Sequence, residues 1–196
     1  MQGYTCILPD FAGFGDTPEP IFPYTVQNYA QDVIELLEEL KISNAVFVGH
    51  SFGGRVAIEI AAKNPNIVKK LVLVDSAGCK PRRGLKYYFK IYLHKILRKL
   101  GKKGLKGSND YQVLTPIMKE TFKNVVNYFQ DDLLKSIECP TALFWGKYDN
   151  ETPPYMANRM RKHIANSWLY WLNGGHFAYI DDSFEFMAVL KSFLKE

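Results

Sequence analysis

Long apolar runs, paired cysteines and a leader segment are all missing from this sequence. No apolar run approaches the ~18 residues that a membrane-spanning helix needs, and the first four residues lack the basic and apolar regions of a signal peptide. The three cysteines (Cys6, Cys79 and Cys139) are widely spaced and form no Cys-x-x-Cys motif. We therefore predict no disulfide framework and no zinc site, and we expect the reducing cytoplasm as the location.

Acidic residues are also missing, but only from one part of the chain. The stretch from Lys80 to Lys106 contains eleven lysines and arginines and no acid, while the remainder has 14 basic and 20 acidic residues. The net charge of +5 is thus the sum of a mildly acidic body and one basic insert. The 196 residues, 47% hydrophobic and 23% charged, have an ordinary globular composition, which excludes a disordered or coiled-coil protein.

Short apolar runs divide the remainder of the chain. They do not alternate polar with apolar residues, which is typical of strands in a parallel sheet covered on both faces. Helical patterns lie between them, and this alternation predicts a three-layer α/β fold, a mostly parallel sheet with helices on both faces. The predicted strands are residues 4–8, 45–48, 71–74, 141–145 and 168–172, and the predicted helices are residues 26–40, 54–63, 156–164 and 184–194.

The basic insert interrupts this alternation. From Cys79 to Glu138 we predict helices and no strand, with a helical apolar stripe through residues 85–100 and a further helix over residues 113–129. We therefore predict a core in two parts, residues 1–78 and 139–196, with residues 79–138 inserted between them as a helical cap or lid.

A Gly-x-Ser-x-Gly motif follows the second apolar run, at residues 49–53, and a helix of small residues follows it in turn. A serine between a strand and a helix lies on a tight turn, and we expect glycine on both sides of Ser51 to avoid a clash. The turn lifts the serine hydroxyl out of the sheet edge, and the start of the helix points N–H groups at a developing oxyanion. We predict that Ser51 is a nucleophile.

A serine nucleophile requires a base, and the chain offers four histidines. His176 follows the last predicted strand in a glycine-flanked loop, at the edge where sites form in open α/β sheets. His50 is adjacent to Ser51 but its side chain should point away, while His94 and His163 lie in charged helices. We predict that His176 is the base.

A carboxylate should orient the imidazole and stabilise its charged form. Asp149 follows the fourth predicted strand and Asp75 follows the third, so both belong to the same edge of the sheet. We predict that Asp149 is the acid and keep Asp75 as the alternative.

Four segments in this order make the sequence resemble the α/β-hydrolase family over nearly all of its length. They are residues 3–16 (the fourth strand and the loop after it), 49–54 (the nucleophile elbow), 145–153 (the acid-bearing turn) and 174–180 (the histidine loop). The resemblance implies a Ser51–Asp149–His176 triad and an oxyanion donor at the amide of Phe52. It also implies that residues 79–138 form the cap.

The family's first three strands should precede Gly3, and the sequence does not contain them. The loop that carries the second oxyanion donor in the family is missing with them. We expect either a start at an internal methionine or a fragment of a longer protein. A chain that repacks, or pairs with a second copy, is the alternative.

The sequence predicts a serine hydrolase that cleaves a carboxylic ester, or a similar carbonyl compound, through an acyl-enzyme, with no metal or organic cofactor. Amidase, aminopeptidase, thioesterase and carbon–carbon hydrolase activities remain alternatives within this class. A non-catalytic binding protein with a hydrolase fold is the alternative suggested by the missing strands. A membrane-surface lipid esterase is the alternative suggested by the basic insert.

The partners follow from the same reasoning. The expected partner is a small-molecule substrate, and Tyr87, Tyr88 and Tyr92 of the cap could line a pocket for its acyl group. We expect no nucleic-acid partner, because the positive charge forms one short cluster with no accompanying binding motif. The sequence leaves the oligomeric state open.

Overall fold

A computed structural model describes residues 3–82 and 113–195 of the chain. Within these ranges, strands and helices alternate as the spacing of the apolar runs predicts. The strands are β1 (Ala45–His50), β2 (Val68–Val74), β3 (Thr141–Gly146) and β4 (Ser167–Leu172); the helices are α1 (Val26–Glu39), α2 (Ser51–Lys63), α3 (Pro116–Asn127), α4 (Pro154–His163), α5 (Ala178–Asp181) and α6 (Ser183–Lys195), with 3-10 turns at Pro65–Ile67 and Leu133–Ser136.

The four strands form one parallel sheet in the order β1-β2-β3-β4. The register pairs Val48 of β1 with Val72 of β2, and Leu73 of β2 with Leu143 of β3. Because all four strands run in the same direction, their carboxyl ends meet at one edge of the sheet. The loops that carry the predicted site residues all leave from this edge.

Helices cover both faces of the sheet. Tyr29 of α1 and Ile58 of α2 pack in one buried cluster with Leu73 of β2. The adjacent strand residue, Val72, points to the opposite face and packs in a second cluster with Phe186 of α6. Strands buried on both faces explain why the apolar runs are continuous, and the predicted three-layer α/β fold is confirmed.

The first predicted strand, residues 4–8, is wrong. This segment has no strand assignment, and Leu8 within it is 91% exposed. A strand is stable only when its N–H and C=O groups pair with a neighbouring strand. Among the described residues, no strand lies on the side of β1 that faces away from β2, and Val48 of β1 is 58% exposed. The outer edge of β1 is therefore open, and residues 4–8 do not pair with it.

The helices predicted within the described residues are found with small shifts at their ends. Helix α1 begins after Thr25, whose hydroxyl accepts the N–H of Asn28 while the Asn28 side chain accepts the N–H of Thr25. Helix α2 begins at Ser51, three residues before the predicted start, because the serine of the motif itself enters the helix. Its end at Lys63 agrees with the predicted stop at the following Asn-Pro pair.

Half of the insert of residues 79–138 lies outside the described residues, and so do Tyr87, Tyr88 and Tyr92. The cap boundaries of 79–138 therefore stay a prediction. The described end of the insert contains α3, which falls inside the predicted helix of residues 113–129. The hydroxyl of Thr121 on α3 accepts the backbone N–H of Tyr24, which ties this helix to the segment before α1. Across the part of the chain that the structure describes, no helix has the length and apolar character needed to cross a membrane.

Candidate active site

The turn between β1 and α2 holds Ser51 in an unusual backbone conformation. Its φ of 48° lies in the left-handed region, which costs a non-glycine residue about 1–3 kcal/mol. A Cβ on Gly49 would lie 2.6 Å from the carbonyl oxygen of Gly53, so only glycine fits there. A Cβ on Gly53 would meet no atom within 4 Å. The predicted steric clash therefore exists at Gly49 and not at Gly53. The strain projects the Ser51 side chain out of the sheet edge.

The three predicted residues are brought together at this edge. The Ser51 hydroxyl oxygen lies 3.0 Å from Nε2 of His176, and Nδ1 of the same ring lies 2.9 Å from Oδ2 of Asp149. The side chains of His176 and Asp149 are almost fully buried. In this order of contacts, the hydroxyl can pass its proton to an imidazole whose positive charge a carboxylate then stabilises.

The turn after β3 prepares Asp149 for that role. Its Oδ1 accepts the backbone N–H groups of Glu151 (2.7 Å) and Thr152 (2.9 Å), and its Oδ2 accepts the Thr152 hydroxyl (2.6 Å). Burial by itself raises the pKa of Asp149, but the hydrogen bonds from His176, Thr152 and Glu151 outweigh it and hold the pKa below its ordinary value. Asp149 is therefore ionised at neutral pH.

Asp75, the alternative acid, occupies a different place. Its Oδ1 accepts the N–H of Gly146 at 2.7 Å and its Oδ2 accepts the N–H of Ala178 at 3.3 Å, so it links the end of β3 to the start of α5. Burial, together with the charge of Asp149, raises the pKa of Asp75 to about 7. The carboxylate that contacts His176 is that of Asp149, and Asp75 supports the loops on either side of it.

The other described histidines, His50 and His163, take no part in this series of contacts. Nε2 of His50 lies 2.7 Å from the carbonyl oxygen of His176, and the two rings pack with centroids 4.9 Å apart. Burial lowers the pKa of His50, which therefore stays neutral and supports the loop of His176. His163 is the last residue of α4, and His94 lies outside the described residues.

The first turn of α2 is the predicted oxyanion site. No side chain caps this helix start, so its first N–H groups, including that of Phe52, have no partner within the helix. The Phe52 ring packs against Phe11, Phe14 and Tyr29, with centroids 5.4, 5.9 and 5.0 Å away. This aromatic cluster fixes the helix start beneath Ser51.

Two features of the site were not predicted from the sequence. Glu151 places a carboxylate oxygen 3.4 Å from Nε2 of His176, on a side chain that is 71% exposed. A cavity of about 310 Å³ also opens beside the site, lined among others by Arg55, Ala77, Arg82, Glu151 and Thr152. Position alone offers a signal for Glu151 and Thr152, since both follow Asp149 within one tight turn. The sequence carries no comparable signal for Arg55.

In the described residues, no group of three or more histidine, cysteine or acidic side chains is arranged to hold a metal ion. All three cysteines are free thiols: Cys6 is exposed, Cys79 is buried and Cys139 is partly buried. Burial raises the pKa of the Cys79 thiol to about 12, so this thiol is not ionised at neutral pH.

Comparison with known proteins identifies the family. The sequence profile described as "alpha/beta hydrolase fold" matches residues 1–95. The chain is 30% identical to the uncharacterized hydrolase YugF of Bacillus subtilis, an alignment that covers 86% of this chain and 72% of YugF. It is 25% identical to the AB hydrolase superfamily protein YisY of the same organism, over 98% of this chain and 82% of YisY.

The fold agrees with that relationship. The crystal structure of the enol-lactonase from Burkholderia xenovorans LB400 superposes with a TM-score of 0.73 at 21% identity, covering 95% of this chain and 79% of the enol-lactonase. The sequence profile, the relationship to YugF and the parallel sheet with its sharp turn at Ser51 lead to one conclusion: the chain belongs to the α/β-hydrolase fold family and is a hydrolase.

Proposed function

We propose that this protein is a serine hydrolase that cleaves carboxylic esters, with Ser51 as nucleophile, His176 as base and Asp149 as the acid that orients it. The observation that carries the proposal is the continuous series of contacts from Ser51 Oγ to His176 Nε2 (3.0 Å) and from His176 Nδ1 to Asp149 Oδ2 (2.9 Å). Because the chain belongs to a hydrolase family, hydrolysis is the reaction that we assign to these contacts.

In the proposed reaction, Ser51 Oγ attacks the ester carbonyl carbon while its proton passes to Nε2 of His176. The carbonyl oxygen becomes an oxyanion, which the N–H of Phe52 and the positive end of α2 stabilise. The carbon–oxygen bond to the leaving alcohol then breaks, and His176 returns the proton to that alcohol. An acyl group remains on Ser51.

Water completes the cycle. A water molecule gives a proton to His176 and attacks the acyl carbon, and the acid product leaves as Ser51 recovers its proton from His176. In both halves the imidazole is transiently positive, and the buried Asp149 carboxylate stabilises that charge without taking the proton. The low pKa of Asp149 supports this assignment, because a protonated carboxyl would supply no charge.

A fluorophosphonate probe tests the nucleophile. The probe should label the wild-type chain, and Ser51→Ala should abolish both labelling and the hydrolysis of 4-nitrophenyl acetate. Ser43→Ala is the matched control, because Ser43 is exposed and lies before β1, away from the turn. Labelling that persists in Ser51→Ala would refute the assignment of Ser51.

A substrate panel tests the reaction class. The ester is proposed because alcohols are better leaving groups than amines, which makes ester cleavage the less demanding reaction. Hydrolysis of 4-nitrophenyl acetate should exceed that of 4-nitroacetanilide, and a thioester of acetate should be compared alongside. A higher kcat/KM for the anilide or the thioester would move the proposal to the amidase or thioesterase class.

A further inference from the structure

Arg55 is a buried cation close to the site. It lies on α2, one helical turn after Ser51, and is only 8% exposed. Its guanidinium donates a hydrogen bond to the carbonyl oxygen of Tyr128. Among the described residues it forms no ion pair with any carboxylate. Burying a charge without a counter-charge destabilises the folded protein. We therefore expect the Arg55 guanidinium to bind an anionic group.

The nearest acid on the same helix is already engaged. Glu59, one turn after Arg55, accepts hydrogen bonds from the Tyr128 hydroxyl at 2.9 Å and from the Gln130 side-chain amide at 3.3 Å. Burial lowers the pKa of Arg55 from its ordinary value. Even so, arginine keeps its charge in proteins. The guanidinium of Arg55 is thus a charged donor with one carbonyl partner.

A second cation lines the same cavity of about 310 Å³. Arg82 lies at its exposed rim, where the main-chain N–H of Arg82 donates to the Tyr155 hydroxyl at 2.9 Å and its guanidinium carbon lies 4.6 Å from the centroid of the Tyr155 ring. The cavity lining also contains one carboxylate, that of Glu151, which approaches His176 rather than either arginine. The two arginines therefore leave the cavity with an excess of positive charge.

The cavity adjoins residues that contact Ser51 and Asp149. Ala77, which lines it, donates its N–H to the carbonyl oxygen of Ser51 at 3.1 Å. Thr152, which also lines it, donates its hydroxyl to Asp149 at 2.6 Å. The cavity is thus separated by one residue from Ser51, through Ala77, and by one residue from Asp149, through Thr152.

We propose that the substrate is an anionic ester whose carboxylate occupies the cavity, held by Arg55 at the floor and Arg82 at the rim. This inference rests on the proposed function, since it names the class of ester that Ser51 would attack. The guanidinium suits a carboxylate because its planar N–H groups match the two carboxylate oxygens. The cost of burying Arg55 is then offset when substrate binds.

Two matched pairs of esters test the inference. The first pair is the 4-nitrophenyl monoester of adipic acid and 4-nitrophenyl hexanoate, which differ by a carboxylate at the end of the acyl chain. The second is 4-acetoxybenzoate and 4-acetoxybenzamide, which differ on the alcohol side. In at least one pair, kcat/KM should be higher for the anionic ester. Arg55→Gln should reduce that preference about 10- to 100-fold, the value of a hydrogen bond to a charged group.

The ratio of kcat/KM for the two esters of a pair distinguishes a role of Arg55 in substrate recognition from a purely structural role. If Arg55 only anchors Tyr128, Arg55→Gln will lower kcat/KM for both members equally and the ratio will not change, which would overturn the inference. Arg161→Gln is the matched control, because it removes the same charge from an exposed position on α4 and should leave both values unchanged. If Arg55→Gln fails to fold, the exposed Arg82→Gln should still reduce the preference, by a smaller factor.

A binding measurement keeps the inference independent of the triad. In the Ser51→Ala chain, calorimetry should detect binding of the anionic ester of the preferred pair and weaker binding of its neutral partner, and adding Arg82→Gln should weaken only the former. Hydrolysis of both esters with no preference in either pair would overturn the anionic substrate and leave the serine hydrolase intact. No labelling of Ser51, together with charge-dependent binding in the cavity, would refute the proposed function and retain the anion site.

Discussion

Replacing Asp75 by asparagine should change how the stability of the protein depends on pH. The Asp75 carboxyl is fully buried at the end of β2, and its two oxygens accept the N–H groups of Gly146 and Ala178. Asparagine has almost the same shape and carries no charge at any pH. The asparagine amide faces one of these two N–H groups and loses that hydrogen bond at every pH. The pH dependence of the difference in unfolding free energy between wild type and Asp75→Asn therefore reports the ionisation of Asp75.

The magnitude follows from the pKa. Burial, with the nearby charge of Asp149, raises the pKa of Asp75 from 3.8 to about 7, and at about 1.4 kcal/mol per pH unit the difference amounts to about 4 kcal/mol. Because the pKa is raised in the folded state, the stability contributed by the neutral carboxyl is fully present below about pH 4. It is lost as the pH rises through about 7.

Urea unfolding of both proteins between about pH 4 and pH 8 provides the assay. Wild type should lose stability relative to Asp75→Asn across this interval, with a slope approaching 1.4 kcal/mol per pH unit between the two pKa values. Contributions from titrating groups that do not interact with Asp75 cancel in the difference. Two curves that stay parallel would refute the reasoning, because they would mean that Asp75 ionises alike in the folded and unfolded chains.

Three further predictions concern the triad and the sheet edge. Asp149→Asn should lower kcat for 4-nitrophenyl acetate by about 10⁴, because the imidazole loses its counter-charge; a loss below tenfold would contradict its role. Thr152→Val removes the hydroxyl that donates to Asp149 at 2.6 Å and should lower kcat about tenfold, while Thr152→Ser should retain activity in the same initial-rate assay. Val48→Lys places a charge on the open side of β1 and should reduce concentration-dependent association in light scattering, with the unfolding free energy changed by no more than about 0.5 kcal/mol. Unchanged scattering would mean that this edge does not drive association.

The parts of the fold that depend on local pattern could be predicted from the sequence. Continuous apolar runs gave β1 to β4, since a strand buried on both faces requires them. Residues 4–8 have the same pattern and are not a strand, because pairing depends on a neighbour elsewhere in space. The local sequence shows that a segment has apolar side chains to bury. It does not show whether a neighbouring strand is available to pair with it.

The site divides in the same way. The turn at Ser51 and the glycine-flanked loop of His176 carry local signatures, whereas Asp75 and Asp149 both follow apolar strands and look alike in sequence. Only the hydrogen bonds tell them apart: one carboxylate contacts the imidazole and the other contacts the backbone of two loops. Arg55 lies in a helix predicted to consist of small residues. The burial of Arg55 beside a cavity depends on segments that are distant in sequence.

Helix α2 carries both Ser51 and Arg55, and it fixes the spacing between these two residues. Four residues of helix advance by about 6 Å, and no loop separates the two residues. In the proposed complex, the helix would therefore set the distance between the attacked carbonyl and the carboxylate at Arg55. Changes in the surrounding loops can widen or narrow the cavity without altering that spacing. A hydrolase built in this way would select its substrates by the number of atoms between ester and anion, and variants that shift the preferred chain length would have to move the arginine to another turn of the helix.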